Sequence, residues 1–457
     1  MGEIRVLAPT GILGSGFLES SLEAGLARDP HFIGCDAGST DAGPSSLGSG
    51  RPQFSRASTK RDLRPMLSGA RRKGIPLLIG SAGMGGTDIG LAWLRDIAEE
   101  VAREEGLHFR MALIRAEQDK AYLKRRLAER RIRPLKPAPP ISEALIDRSE
   151  HIVGMMGTEP FLKALDEGAE VVLAGRSSDT SIFAALPVRM GAHPGVAWHA
   201  AKVLECGTAC VTQRRSPDSV MAILRDEHFL IEPLDPRLCC TPQSVASHTL
   251  YENADPFHIV EPGGVLDASE ARYEAETVRT VRVTGSRFQP AERYTVKLEG
   301  AEKAGYQTII IGSIRDPIIV RQVDRWLATL RDRLQERVDH IFGEKVSQED
   351  YTLVIRAYGK DGTMGPMEPL ARQLAHELCL LFEVTAPEQQ LANDIAATLG
   401  HLAIHHPVPE WHGLISALAF PFAPPEVEKG LVYRFNLNHV VEPDDPCEMF
   451  PLELVEV

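Results

Sequence analysis

From its start to about residue 190 the chain repeats one pattern: a short apolar run, a glycine-rich turn, then an amphipathic stretch of helical period. Residues 4–7 lead into APTGILGSG and a helical stretch at 17–27. Residues 32–35 lead into a long glycine and serine loop that reaches about Ser55, followed by a helical stretch at 58–72. Residues 75–79 run into GSAGMGGTD and a helical stretch at 91–105; residues 108–114 precede the charged segment 118–130, and a further crossover begins at 170–173. Apolar runs without polar alternation are strands covered on both faces, and helical crossovers between them imply a parallel sheet. The pattern predicts an α/β domain over residues 1–215 with a doubly wound, mostly parallel sheet.

Beyond about residue 215 the texture changes. Residues 220–231, 277–283, 293–298 and 308–311 read as strands with few helices between them, which predicts a second, mixed α+β domain over 216–457. Helix returns at 318–341, a strand at 353–357, and helices at 367–382 and 387–404; the segment LVYRFNLNHVV alternates like a strand that could pack back on the cleft. The stretch RIRPLKPAPPI, with four prolines, cannot be regular helix or central strand and reads as a surface arm.

Charge and cysteine usage narrow the setting. The net charge of -13 repels a phosphate backbone, so nucleic acid is not an expected partner. Seven cysteines, an odd number with no CxxC pair, read as reduced thiols in a cytoplasm. Arg5 and Pro9 interrupt any apolar signal core near the start, and no run approaches the ~18 apolar residues of a membrane helix, so neither export nor membrane insertion is expected.

Three polar loops at successive strand ends carry the candidate chemistry. GCDAGSTDAGPSSLGSG offers Asp36 and Asp41 as proton carriers, metal ligands or helix caps, and Ser39 and Thr40 as anion contacts; an Asx-rich structural turn is the alternative. GSAGMGGTD offers the amides of Gly83, Gly85 and Gly86 with Thr87 and Asp88 as an anion cradle. Its spacing matches neither the dinucleotide nor the Walker pattern, so NAD and ATP are not expected. AGRSSDTSIF offers Arg176 as a carboxylate clamp beside Asp179 and Thr180, or else a structural Arg–Asp pair. Glu205 and Cys206 in LECGTAC could supply a base or a thiolate, although a cysteine in an apolar stretch is usually inert packing. His401, His405 and His406 suggest a metal only weakly without an HExxH pattern, and His439 with Asn438 would join the site if its strand returns to the cleft. No cofactor is firmly implied; a divalent metal, of unassigned ligands, would polarise a carbonyl.

The segments IGCDAGSTDAGP, GSAG with GGTD, AGRSSDT, LECGTACVTQ and HTLYENADP resemble the acyclic terpene utilisation (AtuA-like) family over most of the chain. Other members read nearer to TGRVADT where this chain has AGRSSDT, so Arg176, Asp179 and Thr180 fit while Ser177 and Ser178 depart. The family is named for bacterial gene clusters of citronellol and geraniol breakdown, and some members carry, or work with, a small ferredoxin-like module. This chain reads as helices and one strand where such a module would lie, which leaves room for a separate small subunit of that kind, and homo-oligomerisation is expected. The resemblance and the loops together imply a catabolic enzyme acting on a small carboxylate or its acyl-CoA thioester. The expected type is a lyase or hydratase/isomerase in which Asp36, Asp41 or Asp179 moves a proton. A non-catalytic binding or scaffold subunit of a catabolic complex is the alternative.

Overall fold

In a computed structural model of the protein, which describes residues 2–413 and 415–457, the early apolar runs form the strands Ile4–Ala8, Phe32–Asp36, Leu77–Gly80, Arg110–Ile114 and Val171–Ala174. They are parallel and lie side by side in the order Ile4–Ala8, Phe32–Asp36, Leu77–Gly80, Val171–Ala174, Arg110–Ile114. Every one of their residues is buried except Arg5 and Arg110. Because successive side chains leave a strand on opposite faces, the sheet feeds two cores. Leu7, Ile33, Leu77 and Met111 meet the helices Glu19–Leu26, Arg56–Lys73 and Asp88–Glu105, while Val6, Phe32, Leu78 and Ala112 meet Glu159–Asp166, Asp179–Arg189 and Pro194–Leu204.

Five more strands extend this sheet, all antiparallel. Val220–Leu224, His228–Pro233, Val281–Thr284 and Arg272–Ala275 continue outward from Ile4–Ala8, and Leu452–Glu456 pairs with Arg110–Ile114. The α/β class holds, with parallel and antiparallel strands in one sheet, so "mostly parallel" applies only to its centre. The segment 220–231 is not one strand but a hairpin that breaks at Arg225–Glu227, and this hairpin claims the open edge of Ile4–Ala8.

The chain forms two compact units, Met1–Glu302 with Arg434–Val457, and Lys303–Tyr433. The division expected near residue 215 falls inside the first of them, where pairing of Val220–Leu224 with Ile4–Ala8 carries the sheet straight across it.

The second unit takes the later part of strand Val296–Ile314 and the earlier part of Glu426–Val441. Its sheet has the order Thr352–Tyr358, Leu378–Ala386, Val296–Ile314, Glu426–Val441. Helices Val323–Phe342 and Gln389–Ile404 pack on it through Trp326, Leu330, Ile395 and Leu399 against Ile310 and Phe382. Strand, helix, strand, strand, helix, strand in that sheet order is the split βαβ, ferredoxin-like arrangement. The helix expected over 367–382 is absent. Residues 359–377 are irregular apart from one turn of 3₁₀ helix at Gly365–Met367, and Leu378–Ala386 is a strand whose alternate residues Leu378, Leu380, Phe382, Val384 and Ala386 are buried. Among the described residues no helix is long and apolar enough to cross a membrane.

Candidate functional site

The carboxyl ends of the parallel strands open, within the first unit, onto a cavity of about 850 Å³. Gly11 and Ile12 come from the turn after Ile4–Ala8; Asp36, Ser39 and Asp41 from the end of Phe32–Asp36; Asp179 from the helix that follows Val171–Ala174. Residues 205–217 and the helix Pro242–Thr249 close the opposite wall. The two walls meet at glycine: a Cβ on Gly11 would stand 2.6 Å from the carbonyl oxygen of Cys206, so any other residue there would force the turns apart. Two non-glycine residues of the lining, Gln213 (φ 58°) and Glu252 (φ 62°), hold left-handed backbone, the kind of local strain that gathers at binding sites.

Asp36 and Asp179 form the floor. Asp36 is buried, and burial pushes its carboxyl well above the usual carboxylate range; the charge of Asp179 adds to this, against Arg176 and the amides of Gly38 and Ala37. Burial also lifts Asp179, up to about 7, with Arg176 opposing and Glu205 adding. About a third of the Asp179 side chain stays accessible, which leaves it reachable from the cavity. Carboxyls raised by burial hold their protons to higher pH than exposed ones, which suits them to acid and base roles.

Ion pairs support this floor. Arg176 contacts Glu299 at 2.8 Å and Asp179 at 3.6 Å, and donates from Nη1 to Ser81 Oγ at 3.2 Å. Burial alone would raise Glu299, but Arg176 and Lys297 overcome it and hold the carboxyl down at about 2. Lys202 pairs with Glu205, which also accepts from Thr180 Oγ1 at 2.6 Å. Ser178 donates to Glu261, whose carboxyl burial pushes up to about 7.

The structure thus gathers Asp36, Ser39, Asp41, Asp179 and Glu205 around one cavity. Thr180 stands one hydrogen bond behind, on Glu205, while Thr40 donates to Glu299, outside the lining, at 3.2 Å. The GSAGMGGTD loop does not reach the cavity. Gly83 packs on Gly90 and Gly85 on the Leu47 backbone. A Cβ on Gly86 (φ +65°) would stand 2.3 Å from the Arg176 nitrogen, so this loop serves as backbone packing beneath the site. Thr87 caps its helix by accepting from the Gly90 amide at 3.2 Å. Asp88 lies apart, on a separate depression of about 160 Å³ with Arg95 and Arg115; burial and Glu117 raise its carboxyl. Arg176 is not a lining residue: both edges of its guanidinium are taken by protein groups. His439 is buried in its strand and bonds the Pro139 carbonyl at 3.0 Å, away from the cavity.

Cys206 does line the cavity, yet burial and then Glu205 push its thiol up, which is the reverse of nucleophile activation. In the second unit His401 and His405 are exposed and His406 is buried against Thr329 at 2.7 Å. Among the described residues no group of three or more His, Cys, Asp or Glu side chains is placed to hold a metal. Sequence reasoning missed Arg214, His248, Tyr251 and the buried Lys202 and Glu299. Only Lys202 carried a local signal, its three-residue spacing from Glu205 on a helical face.

No curated protein and no solved structure matches the chain. The sequence model of the family described as acyclic terpene utilisation family protein AtuA matches residues 48–214 and 219–428, which includes Arg176, Asp179, Glu205 and the cavity wall that faces them. With well over half of its length matched, the chain belongs to the acyclic terpene utilisation family AtuA.

Proposed function

We propose that the protein is a catabolic enzyme, a lyase or hydratase/isomerase, acting on a small carboxylate or its acyl-CoA thioester. The observation that carries the proposal is the presence of Asp36 and Asp179, two carboxyls raised by burial, in the lining of one large open cavity, and the proposal takes one of them as ionised and the other as protonated in the reacting state. Ligands of doubly wound sheets bind outside the carboxyl ends of the strands, and the central sheet of the first unit is taken here as one of that kind. In a dehydration, the ionised member takes a proton from the carbon next to the carbonyl. The protonated member gives its proton to the departing hydroxyl, which leaves as water, and the pair ends with one proton as it began. An isomerisation uses the same pair to remove a proton at one carbon and return it at another. Membership of a terpene utilisation family fits a catabolic setting, and thiols with no disulfide partners fit the cytoplasm.

Proton exchange tests the proposal whatever the final product is. In D₂O, a panel of 3-hydroxy acids and their CoA thioesters is incubated with the protein, and deuterium entering next to the carbonyl is followed by NMR. Exchange that disappears in Asp36→Asn and Asp179→Asn, with folding retained, supports the proposal. Exchange that persists undiminished in both variants, or exchange of no member of the panel, refutes it in favour of a non-catalytic binding subunit.

A further inference from the structure

The cavity is lined by five carboxylic residues, Asp36, Asp41, Asp179, Glu205 and Glu252, and by one cationic residue, Arg214. The other two cations nearby are committed, Arg176 to Glu299 and Lys202 to Glu205. Arg214 is exposed and, among the described residues, has no ion-pair partner, yet its charge acts on the His248 imidazole across the cavity wall. The residue before it, Gln213, is one of the two lining residues with left-handed backbone, so the chain takes an unusual conformation just before Arg214. His248 adds no second cation: burial, then Lys202 and Arg214, push its imidazole down to about 4, so it is neutral at pH 7. The acids contribute less negative charge than their number suggests, since burial raises the carboxyls of Asp36 and Asp179 and Glu205 is paired with Lys202.

We infer that Arg214 is the ligand-anchoring residue of this cavity, gripping an anionic group, carboxylate or phosphate, of a molecule whose reacting carbon lies over the Asp36–Asp179 pair. The inference rests on the function proposed above. It places at Arg214 the task that sequence had offered to Arg176, because Arg176 is bonded to Glu299 and Ser81 while Arg214 lines the cavity with its planar fork of donors unbonded among the described residues. A free acid would present its own carboxylate there, and a CoA thioester one of its phosphates.

Calorimetric titration with butyrate, butyryl-CoA and free CoA, on wild type, Arg214→Gln, Arg214→Lys and Arg215→Gln, tests it. Arg215 is the adjacent exposed arginine outside the lining, so Arg215→Gln changes the net charge equally. Arg214→Gln is expected to weaken binding about tenfold or more, the loss of a charge-assisted two-point contact, with Arg214→Lys between it and wild type and Arg215→Gln within about twofold. Loss of butyrate binding identifies the acid's own carboxylate as the gripped group. Loss of CoA and butyryl-CoA with butyrate retained identifies a phosphate. Equal effects of Arg214→Gln and Arg215→Gln, or no effect of Arg214→Gln, overturn the anchor and leave the proton chemistry standing. Failure of wild type to bind any of the three removes the anchor and the proposed substrate class together.

Discussion

Replacing Arg176 by methionine removes the cation from a buried cluster while keeping most of the side-chain volume. Its Glu299 partner is itself buried, and it is held at about 2 where an unperturbed glutamate sits at 4.5. At about 1.36 kcal/mol per tenfold change in proton affinity, that depression corresponds to about 3 kcal/mol. Breaking a buried pair by removing one partner costs about 3–5 kcal/mol by a separate route. Lys297 stays 2.8 Å from Glu299, which argues for the lower end. Arg176→Met is therefore expected to lose about 3 kcal/mol in urea unfolding at pH 7 followed by circular dichroism. Arg176→Met with Glu299→Leu should recover most of that loss, since two apolar groups need no partner. The pH dependence has a definite sign: a carboxylate held low in the folded state stabilises above its unfolded value of about 4.5, and the contribution is lost as pH falls toward 2. The gap between wild type and Arg176→Met should narrow below pH 4. A loss under about 1 kcal/mol at pH 7, or a double variant that sums the two single losses, would refute the ion-pair account of Arg176.

Asp179→Asn should raise the melting temperature more at pH 8 than at pH 5, because a carboxyl raised to about 7 by folding loses stability as pH climbs from the unfolded value through 7, and an amide does not titrate; an equal shift at both pH values would count against the raised carboxyl. Iodoacetamide near neutral pH should modify the exposed Cys379 well before Cys206, whose thiol is pushed up by burial and Glu205, and mass spectrometry showing Cys206 labelled first would reverse that assignment. Gly86→Ala should destabilise by more than about 1 kcal/mol, since its left-handed backbone and its approach to the Arg176 nitrogen both exclude a Cβ; an unchanged urea midpoint would show that the loop relaxes freely.

The parallel centre of the first sheet was legible because buried parallel strands leave a local mark: runs such as Leu77–Gly80 and Val171–Ala174 with no polar residue, each bounded by glycine. That Asp36 and Asp179 come to line one cavity was legible for the same reason, since residues at or just past the ends of such runs lie at the carboxyl edge of the sheet. Arg176 was misleading because a free guanidinium and a paired one look identical in sequence, and its partner Glu299 lies 123 residues away. The strand Leu378–Ala386 was masked by helix-favouring neighbours at 368–376, even though its apolar residues alternate at period two. Arg214 and Tyr251 sit in irregular segments, next to Gln213 and Glu252 with their left-handed backbone, where no periodicity announces which side faces a cavity, and His248 lies on a helix of only eight residues, too short for its pattern to single out one face.

The strand Leu452–Glu456 is synthesised more than three hundred residues after its neighbour Arg110–Ile114, with the whole of Lys303–Tyr433 translated in between. At ribosomal speeds of about 5–20 residues per second, the nascent sheet carries one bare edge for some ~20–70 s. During that interval Met111, Leu113 and the other apolar residues of the strand present unpaired amides and carbonyls to any extended polypeptide nearby. Production in cells is thus a race between completion of the polypeptide and illegitimate strand pairing. Slower translation or a shortage of holdase chaperones should cost yield of the native protein without altering a single contact within it.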